Sequence, residues 1–268
     1  MSKKLIIQPV ILAAGKGKRI LKEAKEEGLG EMPKVLYPLK NKPLIDYVLE
    51  TLVAVKKGLP VEIELKKPIA VVNFMQSVVR NHLKDKVTYV EQKPAPLGTG
   101  HAVQVCCDAV KKSGAGVVLA LNGDMPAWSA KTIIGLIIKH AQTLPVLTLA
   151  TVEFNDSKYS AKFFAYGRIV RDEKNGLKKI VEQRDAKAEE LEINECNPSL
   201  YLFETKWLFE ALKKVKNNNS QKEYYLTDLL KIAIDERQKV VTSLVGDWRE
   251  ALGVNTLEQL KLAEKLLD

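Results

Sequence analysis

The run Val10-Ile-Leu-Ala-Ala-Gly-Lys-Gly-Lys-Arg-Ile20 constrains the fold more than any other part of the chain. Its first residues have the apolar character of a buried strand, and the glycines and cations that follow cannot continue one. Gly15 and Gly17 let the backbone approach an anion without a Cβ in the way. Lys16, Lys18, Arg19 and the Lys34 of Met32-Pro-Lys-Val-Leu36 supply charge that a strand core would not tolerate. Such a loop is a phosphate cradle, and a nucleoside triphosphate suits it. The spacing excludes two commoner glycine loops. No Gly-Lys-Ser/Thr triplet follows at Walker distance, and a dinucleotide fingerprint would need glycine where Ile20 stands and an acidic residue where Ile69–Asn73 ends. Taken alone, the loop also fits a purely structural strand-to-helix turn, so the remaining motifs decide.

Strand-like runs at Val10–Ala13, Ile69–Asn73, Val87–Glu91, Val117–Leu121 and Val146–Thr151 alternate with helical stretches near 43–56, 75–84, 99–111 and 129–142. This alternation predicts an α/β fold, a mostly parallel central sheet with helices on both faces. Pro9 is expected to mark the start of the first strand, because a central proline would delete a ladder bond. From Phe163 onward shorter strands, 166–171, 177–182 and 197–203, precede helices at 205–215 and 225–236, which predicts a smaller β-rich part. One domain over 1–268 is expected, with a nucleotide-binding half to about 151, a smaller part over 152–255 and a terminal helix over 256–268.

The motifs Leu12–Arg19, Pro33–Leu36, Leu97–Ala102 and Leu121–Pro126 occur in the order used by sugar-1-phosphate nucleotidyltransferases. With Tyr166–Arg171, Ile180–Ala186, Glu223–Asp228 and Gly253–Thr256, the chain closely resembles the uridylyltransferase domain of bacterial N-acetylglucosamine-1-phosphate uridylyltransferases, over roughly residues 5–265. The resemblance implies a Rossmann-like nucleotidyltransferase fold. It also implies uridylyl transfer from UTP to N-acetylglucosamine-1-phosphate, with Mg²⁺. Nothing after Asn255 but a helix is expected, so the hexapeptide-repeat acetyltransferase half of the bifunctional members is expected to be absent.

Asp124 follows an apolar strand and is placed at the carboxyl end of the sheet, where α/β ligands bind. It is the expected metal ligand, and the resemblance adds Asn255 as the second. One carboxylate and one amide oxygen, completed by phosphate and water, suit Mg²⁺. Catalytic roles fall to Arg19, Lys34 and Asp124. The nucleotide is assigned to Ala14, Gly15, Lys16, Gly17, Gln92, Gly98 and Thr99, with Gln92 facing the base. The resemblance carries the sugar to Gly167, Glu182, Asn197 and Tyr225. The chain departs from the family pattern in four places. Lys18 replaces a threonine, Leu21–Glu31 is longer and suggests a mobile helical flap, one extra residue separates Gln92 from Gly98, and Asn197-Pro-Ser199 replaces Asn-Thr-Gly. The open alternatives are another sugar or base, or a nucleotide-sugar-binding regulatory subunit without turnover.

Composition narrows the setting. The net charge of +9 invites a nucleic-acid reading, but 35 of the 42 basic residues are lysine and they are spread along the chain, unlike the arginine forks of base-reading surfaces. The partners expected are small molecules, with neither nucleic acid nor membrane. The apolar start is broken too early for a secretory signal, and three cysteines without metal spacing fit a reduced, cytoplasmic protein. His82, His101 and His140 form no catalytic grouping. Oligomeric state is left open.

Overall fold

The computed structural model describes residues 4–154, 159 and 161–267, so the basic start Met1–Lys3 lies outside it. The first half runs β1 (Leu5–Leu12), α1 (Lys18–Glu26), a 3₁₀ turn (Lys34–Leu36), a small ribbon of β2 (Pro38–Leu39) and β3 (Lys42–Pro43), then α2 (Leu44–Gly58). It continues through β4 (Ile63–Leu65), β5 (Ile69–Val72), α3 (Gln76–Leu83), β6 (Thr88–Glu91), α4 (Thr99–Gln104), α5 (Cys107–Ser113), β7 (Val117–Asn122), α6 (Ala130–Thr143) and β8 (Leu147–Glu153). The second half comprises α7 (Ala161–Phe164), β9 (Gly167–Arg171), β10 (Leu177–Val181), α8 (Ala188–Leu191), β11 (Glu195–Asn197) and β12 (Tyr201–Glu204). It ends with α9 (Thr205–Leu212), α10 (Asp228–Asp235), β13 (Val240–Leu244) and α11 (Leu257–Leu266).

One sheet spans both halves in the order β10-β9-β11-β8-β12-β7-β1-β5-β6, with β4 on β1 and β13 on β8. Around β1 every pairing is parallel, with β4, β5 and β7. The β-rich half joins through antiparallel β12, which lies between β7 and β8. Alternation along the strands divides the core. Ile7 and Ile11 of β1 and Leu119 and Leu121 of β7 pack with α2 and α6, while Val10, Val118 and Ala120 pack on the other face with α4, α5, α9 and α10. A third cluster joins Ile20 and Ala24 of α1 to Tyr37, Leu39, Val254, Leu257 and Leu260.

Pro9 lies inside β1 rather than at its start. β4 pairs with Leu5–Ile7 and β5 with Val10–Leu12, so the missing amide falls in the gap between two short neighbours. The buried Gln8 side chain fills that gap, donating to the carbonyls of Lys67 (2.7 Å) and Pro9 (3.1 Å). The strand expected over 197–203 is two strands, because Pro198 has no amide to donate and Ser199 turns the chain at φ 59°. β11 therefore pairs with β8 and β9, while β12 crosses to β7. The helix expected over 99–111 is likewise two, α4 and α5. The Leu21–Glu31 segment is helical to Glu26 but docked: Ile20 and Ala24 are buried, and the Glu23 carboxylate accepts the Leu257 amide at 2.6 Å.

Candidate active site

A cavity of about 650 Å³ opens at the carboxyl ends of β1 and β7. Leu12 through Arg19 form one wall, and Gly17, at φ 64°, turns the loop into α1. Pro33 precedes the 3₁₀ turn that carries Lys34, whose aliphatic stem presses on the loop. A Cβ on Gly17 would lie 2.8 Å from Lys34 Cβ. Glycine at 17 is thus required twice, for its backbone angle and for the approach of the lysine.

Lys34 reaches the centre of the site. Its ammonium pairs with Asp124 Oδ2 and donates to Asn255 Oδ1 at 3.0 Å. Asp124 lies near the middle of the chain and Asn255 near its end, and the bond from the Val254 amide to the Asp124 carbonyl (3.0 Å) joins their loops. Gln259 of α11 accepts the Asn255 amide at 2.7 Å and donates to the Phe163 carbonyl at 2.8 Å, and Tyr166 Oη donates to the Ala251 carbonyl. Two oxygens held on separate, braced loops converge on one cation. That cation is Lys34, standing where the two would hold a metal ion, so the donor set fits the magnesium site expected from the sequence. No cluster of three or more His, Cys, Asp or Glu residues with metal-binding proximity occurs among the described residues.

The wall expected to take the base is built on Gln92, which is 2 % exposed. Its amide nitrogen donates to the Gly98 carbonyl at 3.0 Å and to His101 Nδ1 at 3.1 Å. Burial holds the His101 imidazole below its ordinary pKa, so the ring is neutral and accepts. With the nitrogen engaged, the carbonyl oxygen of Gln92 is the end available to a ligand. Gly98, at φ 100°, lies against Tyr224: a Cβ would sit 2.6 Å from that carbonyl oxygen. The Tyr224 amide donates to the Leu97 carbonyl (2.8 Å), the Gly100 amide to the Tyr224 carbonyl (2.8 Å), and Thr99 Oγ1 accepts the Leu226 amide (3.0 Å).

Every residue expected at the phosphates, metal and base lines this cavity: Ala14, Gly15, Lys16, Gly17, Arg19, Lys34, Gln92, Gly98, Thr99, Asp124 and Asn255. The four sugar residues, Gly167, Glu182, Asn197 and Tyr225, are grouped beside it but are absent from its lining. Glu182 Oε1 accepts from Thr227 at 3.0 Å, Asn197 donates to Tyr201 Oη at 2.6 Å, and Tyr225 Oη accepts from Gln221 at 2.7 Å. Burial raises the pKa of Glu182 above its ordinary value. Sequence reasoning passed over Asn73, Tyr166, Arg184, Gln221 and Glu223, all of which line the cavity. Arg184 was legible as an arginine two residues after Glu182; the others carry no signal outside the fold.

Five cations, Lys16, Lys18, Arg19, Lys34 and Arg184, face this space with two carboxylates, Asp124 and Glu223, and only Lys34 is ion-paired among the described residues. A parallel sheet ending in a glycine loop and a surplus of unpaired cations defines a phosphate-handling α/β domain of the nucleotidyltransferase class. The chain belongs to the family of the MobA-like NTP transferase domain, whose model matches residues 9–224. It is 36 % identical over 255 residues to the bifunctional protein GlmU of Exiguobacterium sibiricum, covering 95 % of this chain and 51 % of that protein. The GlmU of Enterococcus faecalis is 34 % identical over 258 residues, 96 % of this chain and 51 % of the relative. The chain thus spans about half the length of these relatives. Two solved structures share the fold. One is a UDP-glucose pyrophosphorylase complexed with UDP-glucose (TM-score 0.68, 20 % identity, 97 % of each chain). The other is a nucleotidyl transferase from Methanothermobacter thermautotroptrophicus (TM-score 0.61, 16 % identity, 97 % of this chain and 96 % of that one). Among the described residues no helix is long and apolar enough to cross a membrane.

Proposed function

We propose that the protein transfers a uridylyl group from UTP to N-acetylglucosamine-1-phosphate, giving UDP-N-acetylglucosamine and pyrophosphate. The observation that carries this reading is the meeting of Lys34, Asp124 and Asn255 beneath a glycine loop with unpaired cations around it. An oxygen of the sugar phosphate attacks the α-phosphorus, and the bond from that phosphorus to the bridging oxygen breaks. Its electron pair leaves with pyrophosphate. Such a reaction needs no covalent nucleophile, only neutralised charge and fixed geometry. Asp124 and Asn255 would hold Mg²⁺, which would supply part of that neutralisation. Lys34 serves the α-phosphate and the incoming sugar phosphate, while the loop amides and Arg19 hold the β- and γ-phosphates.

Gln92 offers its carbonyl oxygen to the imide N–H of uracil, a donor that cytosine lacks. Gly167, Glu182, Asn197 and Tyr225 serve the sugar. The polar groups of Glu182, Asn197 and Tyr225, each fixed by a hydrogen bond to a neighbour, support this reading. A second reading, a different hexose phosphate, is favoured by Ser199 at positive φ, its amide bonded to Asn197 Oδ1 at 3.2 Å. The protein is read as a cytoplasmic enzyme acting on small molecules. Pyrophosphate release with Mg²⁺, across four nucleoside triphosphates and several sugar-1-phosphates, tests the assignment. A maximum at UTP with N-acetylglucosamine-1-phosphate is expected. A maximum at another pair discards the substrate, and no release from any pair leaves a binding subunit.

A further inference from the structure

Arg184 lies in the loop after β10, on the sugar side of the cavity, and faces the same space as Arg19 on the phosphate loop. Neither guanidinium has an ion-pair partner among the described residues. Among the described residues Arg184 donates to an uncharged group, Gln221 Oε1, at 2.8 Å. Glu223, a carboxylate that lines the same cavity, feels both Arg184 and Lys18 but pairs with neither among the described residues. Arg19 and Arg184 are close enough to repel: the pKa of Arg19 is lowered by its burial and next by Arg184. Two guanidiniums that face one open cavity, neither in an ion pair with a carboxylate among the described residues, form a site for a multivalent anion.

The Arg184 side chain is held from behind. Gln221 also donates to Tyr225 Oη (2.7 Å), Asp185 Oδ1 accepts the Ser220 amide (3.0 Å), and Glu182 accepts from Thr227 (3.0 Å). The bonds of Asp185 and Glu182, with that of Arg184 to Gln221, tie the 182–185 loop to the 220–227 segment, so the guanidinium is directed before ligand arrives.

We propose that Arg184 binds the leaving pyrophosphate, closing with Arg19 around the β- and γ-phosphates from the opposite wall. This rests on the nucleotidyltransferase reading above. As the α–β bridging bond breaks, its electron pair and the negative charge pass to the departing pyrophosphate, and two guanidiniums from two walls receive it. The arginine thereby links the two halves through the product rather than through the sugar.

The test uses the full chain with Arg184→Gln, Arg184→Lys and Gln221→Ala, assayed in the pyrophosphorolysis direction and by calorimetric titration of inorganic pyrophosphate with Mg²⁺. Arg184→Gln is expected to raise both the pyrophosphate KM and its Kd by about 10- to 100-fold, with the KM for sugar-1-phosphate in the forward direction within about twofold. Arg184→Lys should recover part of the loss, and Gln221→Ala, which keeps the charge, should cost less than Arg184→Gln. In an Arg19→Gln background the Arg184→Gln effect should be smaller, because both groups hold one anion. Unchanged pyrophosphate KM and Kd would overturn the proposal. So would a rise confined to the sugar-1-phosphate KM, which would move Arg184 to the other substrate. Wild-type protein that turns over no pair of substrates would refute the function, and the pyrophosphate titration would still decide the clamp.

Discussion

Lys34→Met removes the ammonium from the centre of the site and keeps the aliphatic stem that packs on Gly17. In the absence of metal the variant leaves the Asp124 carboxylate and the Asn255 amide facing each other without a cation. The side chains of Lys34 and Asp124 are 17 % and 9 % exposed, so this is a mostly buried pair at the edge of an open cavity. Breaking a fully buried pair costs roughly 3–5 kcal/mol and an exposed one under about 1, which puts this one near 2 kcal/mol. For a chain of 268 residues, with an unfolding entropy of about 2.1 cal/mol/K per residue, that is about 4 °C in Tm. Mg²⁺ should restore most of it, because the ion takes the position that the ammonium held. The same 2 kcal/mol is what a metal must overcome in the wild type. Mg²⁺ should therefore bind the nucleotide-free variant about 30-fold more tightly. Turnover nevertheless falls about 10²–10³-fold, as when a fixed electrostatic stabiliser is lost, and added Mg²⁺ does not rescue it. Thermal melts in chelator and across a Mg²⁺ titration measure the first two effects. Equal melting of variant and wild type in chelator, or an equal response of both to Mg²⁺, would refute the idea that lysine and metal share one position.

Asp124→Asn should lower turnover at least about 10³-fold and abolish the Mg²⁺-dependent rise in Tm, which melts with and without chelator would show. Gly98→Ala places a side chain at φ 100° with its Cβ 2.6 Å from the Tyr224 carbonyl oxygen, so a loss of about 2–3 kcal/mol and a higher KM for the nucleoside triphosphate are expected. His140 is buried, bonded to Thr148 at 2.8 Å, and pushed by burial down to about 4. A depressed base binds fewer protons folded than unfolded, so stability is complete above about 6.5 and declines as pH falls toward 4, by up to about 3 kcal/mol. In His140→Gln that part of the pH dependence of Tm should be absent.

The phosphate and metal groups were legible because they sit at the ends of apolar strands, where chain order alone places a side chain at the sheet's carboxyl edge. Lys34 and Asn255 needed the family pattern, since nothing in the spacing joins a lysine after a proline to an asparagine 221 residues later. Pro9 was misplaced by a rule that holds for paired neighbours; the gap between β4 and β5 suspends it, and only the register reveals that gap. Pro198 carried a readable signal, a missing amide in an otherwise strand-like run, and there the chain does change partners. Arg184 could be read as an arginine two residues after Glu182, but that it and Glu223 face one cavity depends on two loops meeting, which chain order does not show.

The 219–227 segment grips the loop proposed for the base through Tyr224 and Leu226 and the 182–185 loop, proposed for the sugar side, through Ser220, Gln221 and Thr227. One short stretch of chain thus sets the spacing of both proposed recognition surfaces. Altering it to admit a bulkier sugar also shifts the seat of the base, so the two preferences are inherited together. Selection for a new nucleotide sugar would then proceed through changes within each loop, with this connecting segment held as the common ruler.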